Sequence, residues 1–191
     1  APDAMVRMIR VMYSDGIVYE SAVVNALSQL HQRLVAAENG VTVPRSELVD
    51  VVSLSFGGFF RNAQEEREGS PLFGAINALR DMGVIVVAAA GNFGTSDRFY
   101  PAALAEDTSR EIPVVSVGAL NPNGTQAAFS NYGSWVNYYA EGVSLISSVP
   151  EDIRGPINPT RSYQRPGGVT AETMDPDDFS TGFAIWSGTS F

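Results

Sequence analysis

Three short motifs in this sequence combine glycine with residues that can act as nucleophiles or donate hydrogen bonds. They are Ser55-Phe56-Gly57-Gly58, Ala90-Gly91-Asn92-Phe93-Gly94 and Gly188-Thr189-Ser190. The Ser190 hydroxyl could attack a carbonyl group if a base lay beside it. The Asn92 amide could stabilise the negative charge that such an attack creates. Taken singly, however, Asn92 and Ser190 are more simply read as turn residues.

A phosphate-binding loop is the alternative for the second motif. Its glycines are Gly91 and Gly94, so the G-x-G-x-x-G spacing of dinucleotide-binding loops is absent, and no helical pattern follows at once. A nucleotide-binding domain requires a glycine loop that cradles the phosphate, and the spacing of Gly91 and Gly94 does not supply one. A doubly wound nucleotide-binding domain therefore stays the weakest hypothesis, and a nucleotide-induced rise in melting temperature would revive it.

Strand and helix patterns alternate around these motifs. Apolar residues at helical spacing predict helices over 19–38 and over 71–82, the second with Ser70 as its N-cap and Pro71 at its first position. The unbroken apolar runs of 48–56 and 84–90 are typical of strands buried on both faces. Further strands are predicted at 5–12, at 113–120, and as two short strands around Glu141-Gly142. Residues 150–180 show no period, which predicts a long surface loop.

Alternating strands and helices predict an α/β fold, a doubly wound parallel sheet with helices on both faces. Ligands of such sheets bind at the carboxyl ends of the strands. The motifs at 55–58 and 90–94 each follow a predicted strand. We therefore expect both motifs to lie at one edge of the sheet, where they could form a single site.

The composition narrows the function further. The chain has 191 residues and a net charge of −9, which argues against nucleic acid or an anionic membrane as the main partner. No apolar run reaches the ~18 residues of a membrane-spanning helix. The absence of cysteine excludes disulfides, thiol catalysis and cysteine-ligated zinc. The single histidine, His31, falls at the edge of the apolar face of the helix 19–38, where a structural role is expected.

Taken together and in order, the motifs resemble those of the subtilisin-like serine proteases, the subtilase family. The resemblance rests on six segments, each of which is similar to a family motif: APDAMVRMIRVM, DVVSLSFGG, GVIVVAAAGNFG, FYPAAL with IPVVSVGAL, AAFSNYGSWVNYYAEGVSLISS and SGTSF. It covers essentially the whole chain except 150–180. It implies the subtilisin-like three-layer form of the α/β fold and the hydrolysis of peptide bonds in a polypeptide substrate.

The resemblance also assigns roles to residues. Ser190 would be the nucleophile that forms an acyl-enzyme, and Asn92 would donate a hydrogen bond to the oxyanion. Ser55, Phe56 and Gly57 would pair with the substrate backbone as an added β-strand. The pocket for a substrate side chain would be lined, opposite Phe56 and Gly57, by Ala89, Ala90 and Gly91. The Tyr100-Pro101 bond would be cis and would help to form the pocket floor. Phe99 stands where a small residue is often seen, so its ring could shorten that pocket.

The sequence departs from the family pattern in its catalytic base. It contains neither the Asp-x-Gly turn nor the His-Gly-Thr-His helix, and no Met-Ala-x-Pro helix follows Ser190. We therefore expect residues 1–191 to be a partial catalytic domain, with an incomplete fold, low stability and no activity of its own. Its partners would then include the N-terminal and C-terminal parts of its own domain. The alternative is a subtilase-like pseudoprotease that binds peptides without cleaving them.

No cofactor is required by this chemistry, and no metal is assigned to the candidate site. Subtilases often bind calcium, and the acidic cluster of Asp175, Asp177 and Asp178 could hold a structural calcium ion. We favour a solvated charge cluster for these residues. The resemblance further implies that the protein is secreted.

Overall fold

The computed structural model describes residues 3–13, 17–60, 69–150, 162–172 and 182–191, with a four-stranded parallel sheet at its centre. Its strands are β1 (Val51–Leu54), β3 (Ile85–Ala89), β5 (Val114–Leu120) and β6 (Tyr138–Glu141). They lie side by side in the order β1-β3-β5-β6, and each neighbouring pair is parallel. The predicted parallel arrangement is therefore confirmed in these residues.

Two α-helices pack against each other and share one hydrophobic core with the sheet. Helix α1 spans Glu20–Glu38 and helix α2 spans Pro71–Asp81, as predicted within one residue at each end. Ser70 caps α2, because its Oγ accepts a hydrogen bond from Phe73 N at 3.4 Å. The buried residues of α2 include Phe73, Ile76 and Leu79, the stripe that the helical period predicted.

Three small antiparallel sheets extend the structure. Strand β2 (Gly58–Phe59) pairs with β4 (Phe99–Tyr100), and β7 (Leu145–Ser148) pairs with β10 (Phe183–Trp186). Strands β8 (Ser162–Arg165) and β9 (Val169–Glu172) form a hairpin. Short 3₁₀ turns lie at Arg45–Glu47 and Ala102–Glu106. The prediction of two short strands around Glu141-Gly142 is confirmed by β6 and β7.

The predicted strand at 5–12 is wrong. In the described residues this segment forms no ladder, and its only bridge joins Met12 to Val18. It lies alongside α1 instead, with Met8 87% exposed and Val11 packed against the core. A strand requires a hydrogen-bonded neighbour, and no described strand lies beside this one. An apolar composition alone therefore did not make it a strand.

Two other predictions need correction. β1 is not buried on both faces: it lies at the edge of the sheet, and its side chains alternate, with Val51 52% exposed and Val52 8% exposed. The aperiodic segment 150–180 contains β8 and β9, which the Pro-Gly-Gly turn at 166–168 joins. Gly167 and Gly168 have φ values of 86° and 74°, in the left-handed region that glycine adopts without strain. The remainder of 150–180 lies largely outside the described residues.

Candidate active site

The Gly188-Thr189-Ser190 turn lies at the carboxyl end of the parallel sheet. Gly188 N donates a hydrogen bond of 2.8 Å to Gly142 O, which directly follows β6. At the other edge of the sheet Ser55, which directly follows β1, donates from its Oγ to Ser190 O at 3.1 Å. Ser190 itself is exposed. The structure thus brings two of the three predicted motifs into direct contact, as expected for loops at one end of a sheet.

Asn92, from the third motif, is joined to the same turn by its side-chain oxygen. Its Oδ1 accepts hydrogen bonds from Thr189 N at 2.9 Å and from Thr189 Oγ1 at 3.0 Å. A backbone N–H can only donate, so the amide oxygen must face Thr189 and the amide nitrogen must point the other way. Asn92 Nδ2 makes no hydrogen bond within the described residues. The arrangement leaves a neutral, oriented donor beside the turn that carries Ser190.

Glycine at position 188 keeps the space next to that donor open. A Cβ placed on Gly188 would lie 3.2 Å from Asn92 Nδ2. Thr189 Oγ1 also accepts a hydrogen bond from Gly91 N at 3.0 Å, so one hydroxyl fixes both the backbone and the side chain of the loop after β3. Thr189 is only 6% exposed, which protects these hydrogen bonds from competing water.

The loop after β3 has a second support, Asn131, which the sequence analysis did not single out. Asn131 is fully buried; its Nδ2 donates to Ala90 O at 2.8 Å, and its Oδ1 accepts from Phe93 N at 2.9 Å and Thr95 N at 3.3 Å. Gly91 adopts a φ of 99°, which an L-residue would occupy only with strain. The signal was the Phe-Ser-Asn-Tyr-Gly stretch at 129–133, whose polar residues interrupt an otherwise apolar region.

The predicted substrate-binding residues lie on both sides of this loop. Ser55 and Gly57 are exposed, and Phe56 is half-buried. Ala89 and Ala90 are 8% and 0% exposed, and Ala90 N continues the ladder past β3 by donating to Val117 O at 2.9 Å. These positions are compatible with a cleft that follows the ends of β1 and β3.

The Phe99 ring occupies the space between the two predicted sides of the pocket. A Cβ on Gly57 would overlap Phe99 Cε1 and lie 2.9 Å from its Cδ1, while a Cβ on Gly91 would lie 3.0 Å from Cδ1 and 3.2 Å from Cε1. The same edge of one ring therefore touches both glycines. The Tyr100-Pro101 peptide bond that follows is cis, as the resemblance predicted.

Comparison with known proteins identifies the family. The sequence profile of the subtilase family, peptidase S8, matches residues 1–191. This chain belongs to the subtilase family. It is 32% identical over 161 residues to subtilisin BL of Lederbergia lenta, covering 84% of this chain and 49% of that protein. It is 30% identical over 149 residues to a thermophilic serine proteinase of Bacillus sp. (strain AK1), covering 78% of this chain and 30% of that protein.

A solved structure agrees with this assignment at the level of the fold. The chain superimposes on a crystal structure of a cold-adapted subtilisin-like serine proteinase with a TM-score of 0.58 and 21% identity, covering 95% of this chain and 46% of that one. The predicted subtilisin-like α/β fold is thereby confirmed. The chain spans about half the length, or less, of the subtilases that it matches.

The described part of this subtilase places no acid–base pair beside Ser190. The single histidine, His31, lies half-buried on α1, and neither it nor a carboxylate hydrogen-bonds to Ser190 within the described ranges. The hydrogen-bond partners of the Gly188–Ser190 turn there are an amide, a hydroxyl group and backbone atoms. No charged side chain makes a hydrogen bond to this turn within the described residues.

Two further findings concern metals and membranes. Within the described residues, no group of three or more His, Cys, Asp or Glu side chains is arranged to hold a metal ion. Asp175, Asp177 and Asp178, the predicted alternative for calcium, lie outside those residues. The search for a helix long and apolar enough to cross a membrane found none among the described residues.

Proposed function

We propose that the protein carrying this chain is a serine endopeptidase in which Ser190 is the nucleophile and Asn92 donates to the oxyanion. The observation that supports this most directly is the fixed orientation of the Asn92 amide. The backbone N–H of Thr189, the neighbour of Ser190, donates to Asn92 Oδ1 at 2.9 Å. This hydrogen bond excludes the flipped orientation of the Asn92 amide. We infer that Nδ2, which has no hydrogen-bond partner in the described residues, points to the side where a carbonyl attacked by Ser190 would lie.

In this reaction Ser190 Oγ attacks the carbonyl carbon of the scissile peptide bond and loses its proton to a base. The carbonyl oxygen becomes an oxyanion, which the neutral Nδ2 group of Asn92 stabilises without competing as a base. The proton then passes to the leaving amine, and water hydrolyses the acyl-enzyme. Preorganisation by Thr189 and Asn131 means that Asn92 does not need to reorient as the charge develops.

The polypeptide substrate would lie along the ends of β1 and β3. Ser55, Phe56 and Gly57 would supply backbone groups that pair with it as an added strand. Ala89, Ala90 and Gly91 would face the side chain next to the scissile bond. An extracellular location belongs to the same proposal and rests on the family resemblance. A structural calcium ion stays the less favoured alternative to a solvated charge cluster at Asp175, Asp177 and Asp178.

The base has to come from outside the residues described here. His31 lies on α1, and the sequence contains no His-Gly-Thr-His motif. We therefore propose that this chain by itself is inactive, and that the base and its orienting carboxylate come from other parts of the catalytic domain. A peptide-binding module without catalysis is the second candidate. The intact Gly91-Asn92 and Gly188-Thr189-Ser190 motifs argue against it, because a protein that only binds peptides has no use for an oxyanion donor.

The test measures hydrolysis of a fluorogenic peptide by the full-length protein and two variants. Ser190→Ala should reduce activity to background. Asn92→Ala should lower kcat about 10²–10³-fold with little change in KM, since the lost hydrogen bond exists mainly in the transition state. Asn123→Ala is the control, because this exposed residue only accepts hydrogen bonds from Thr125 in a turn.

The outcomes separate the two candidates. An Asn92→Ala variant with at least a third of normal kcat would reject the oxyanion role. A wild-type protein that binds the peptide without hydrolysing it would instead support the binding module. In that case Ser190→Ala would bind the peptide as tightly as the wild type does.

A further inference from the structure

We propose that Phe99 closes the pocket for the substrate residue that precedes the scissile bond, so that only Gly, Ala or Ser is accepted there. This proposal rests on the proposed function and deepens it, because it names the substrate class. The observation is that one edge of the Phe99 ring lies between Gly57 and Gly91. These glycines belong to the two chain segments that flank the candidate cleft.

The contacts leave no room for a large substrate side chain between those segments. A Cβ on Gly91 would lie 2.5 Å from Asn131 Nδ2 and 3.0 Å from Phe99 Cδ1, and the second distance is shorter than the usual carbon–carbon contact of about 3.5–4.0 Å. A Cβ on Gly57 would meet Phe99 Cε1 and Tyr100 O at still closer range. An aromatic or long aliphatic side chain would have to occupy the volume that the Phe99 ring fills.

The ring is held in this position from several sides. Phe99 is 6% exposed and lies in β4, where its backbone pairs with Phe59 of β2. Its ring centroid lies 5.1 Å from that of Phe59, at an interplanar angle of 68°, and 5.7 Å from that of Phe93. Aromatic rings at these separations attract each other. Moving the ring aside would break both contacts and expose a core residue.

The rings of Phe59 and Phe93, which contact Phe99, are themselves partly exposed to solvent. Phe93 directly follows Asn92 and is 66% exposed, and its ring meets that of Phe59, 45% exposed, edge to face at 5.1 Å. The two exposed rings therefore join the loops after β1 and β3 above Phe99. Under the proposal, a substrate methyl group would rest against these rings, whereas a larger side chain would collide with them.

The test compares peptide substrates that differ only at the residue preceding the scissile bond, which is Gly, Ala, Val or Phe. With the full-length wild type, kcat/KM for Ala should exceed that for Phe by at least about tenfold. Phe99→Gly should shift this ratio toward Phe by at least about tenfold. If the Phe99→Gly variant does not fold, the Phe99→Ala variant takes its place in the test. Phe73→Leu is the control, because it alters another buried ring without opening the pocket.

A wild type that cleaves after Phe as well as after Ala would overturn the proposal. So would a Phe99→Gly variant with an unchanged ratio, or a Phe73→Leu variant that shifts the ratio equally.

If no variant cleaves any peptide, the proposed function has failed, and a binding measurement without catalysis tests whether the pocket is closed. Indole should bind to Phe99→Ala and not to the wild type, with NMR shifts at the Gly57 and Gly91 amides, because removing a buried ring leaves an apolar cavity. Binding to both proteins, or to neither, would overturn the proposal.

Discussion

The two ends of the parallel sheet are built from different kinds of polar group. At the carboxyl end, amides and hydroxyls connect the loops: Thr189, Asn92 and Asn131 carry no charge. At the amino end, a buried guanidinium group connects a helix to a loop. Arg80, near the end of α2, is 2% exposed and binds the loop that precedes β5. Both networks fix loops, but only the first leaves a whole side-chain amide nitrogen, Asn92 Nδ2, without a hydrogen-bond partner in the described residues.

Arg80 directs four of its five N–H groups to its neighbours. Its Nε donates to Ile112 O at 2.7 Å, its Nη1 to Asn77 Oδ1 at 2.8 Å and Asp107 Oδ2 at 3.0 Å, and its Nη2 to Asp107 O at 3.1 Å. A buried charge is tolerated only when it is paired and hydrogen-bonded in this way. We therefore expect this network to stabilise the loop that precedes β5.

The candidate site follows the opposite rule. Its groups are neutral, so they impose no fixed charge on a reacting carbonyl, and Asn92 Nδ2 remains without a partner in the described residues. We infer from the comparison that an oriented side-chain amide without a hydrogen-bond partner in the described residues, rather than the number of hydrogen bonds, distinguishes the carboxyl end of this sheet.

The largest effect on stability is expected from removing the charge at the amino end. Arg80→Met keeps the apolar stem but removes the hydrogen bonds from Arg80 to Asp107 and to Ile112 O, and should lower the free energy of unfolding by about 3–5 kcal/mol. Urea denaturation of the full-length protein measures this change.

The matched control for that substitution is Arg110→Met. Arg110 also pairs with Asp107 and with Asp81, yet its side chain is 30% exposed. Exposed ion pairs contribute about 0–1 kcal/mol, so this variant should stay within that range of the wild type. Equal losses of unfolding free energy in the two variants would contradict the expected difference between the buried and the exposed arginine.

The sequence predicted the elements that local patterns define. Both α-helices, the parallel strands and the placement of the 55–58 and 90–94 motifs at one end of the sheet follow from periodicity, caps and strand order. The place of Ser190 beside them followed from the family resemblance. Even Arg80 carried a signal, since it lies four residues after Ile76 on the buried face of α2. Its partner Asp107, however, lies 27 residues away, and no local rule connects the two.

The features that the sequence did not predict depend on distant neighbours. The segment 5–12 has the composition of a strand, but pairing requires another strand at its side. Asn131 acts 41 residues after Ala90, and its buried position is visible only once the loops are folded together. Burial on both faces could not be inferred for β1, because an apolar run does not reveal whether its strand lies at the edge of a sheet.

A second prediction tests whether the neutral network also stabilises the fold. Asn131→Ala removes hydrogen bonds to Ala90 O, Phe93 N and Thr95 N from a fully buried position, and should cost about 2–3 kcal/mol of unfolding free energy. It should also lower kcat, since the loop that carries Asn92 loses its support. Denaturation and peptide hydrolysis on the same protein preparation measure both effects, with Asn123→Ala as the exposed control. Normal stability and normal kcat together would show that Thr189 alone positions Asn92.

The smallest effect is expected from acid, and it should arise at the amino end only. Burial by itself raises the pKa of Asp107, but hydrogen bonds from Ser109 and Arg80, together with the charge of Arg80, outweigh it and lower the pKa from 3.8 to about 2. Because the folded-state pKa is the lower one, the stabilisation is complete above about pH 4 and is lost as the pH falls toward 2. The stability difference between the wild type and Asp107→Asn should therefore shrink by about 1–2 kcal/mol over that interval, after allowance for solvent screening.

Asp50→Asn is the control, since the Asp50 side chain is 72% exposed and its ion pair with Arg45 should contribute little to stability. A difference between wild type and Asp107→Asn that does not change with pH would mean that Arg80 stabilises the loop through its hydrogen bonds to Ile112 O and Asp107 O rather than through the charge of Asp107.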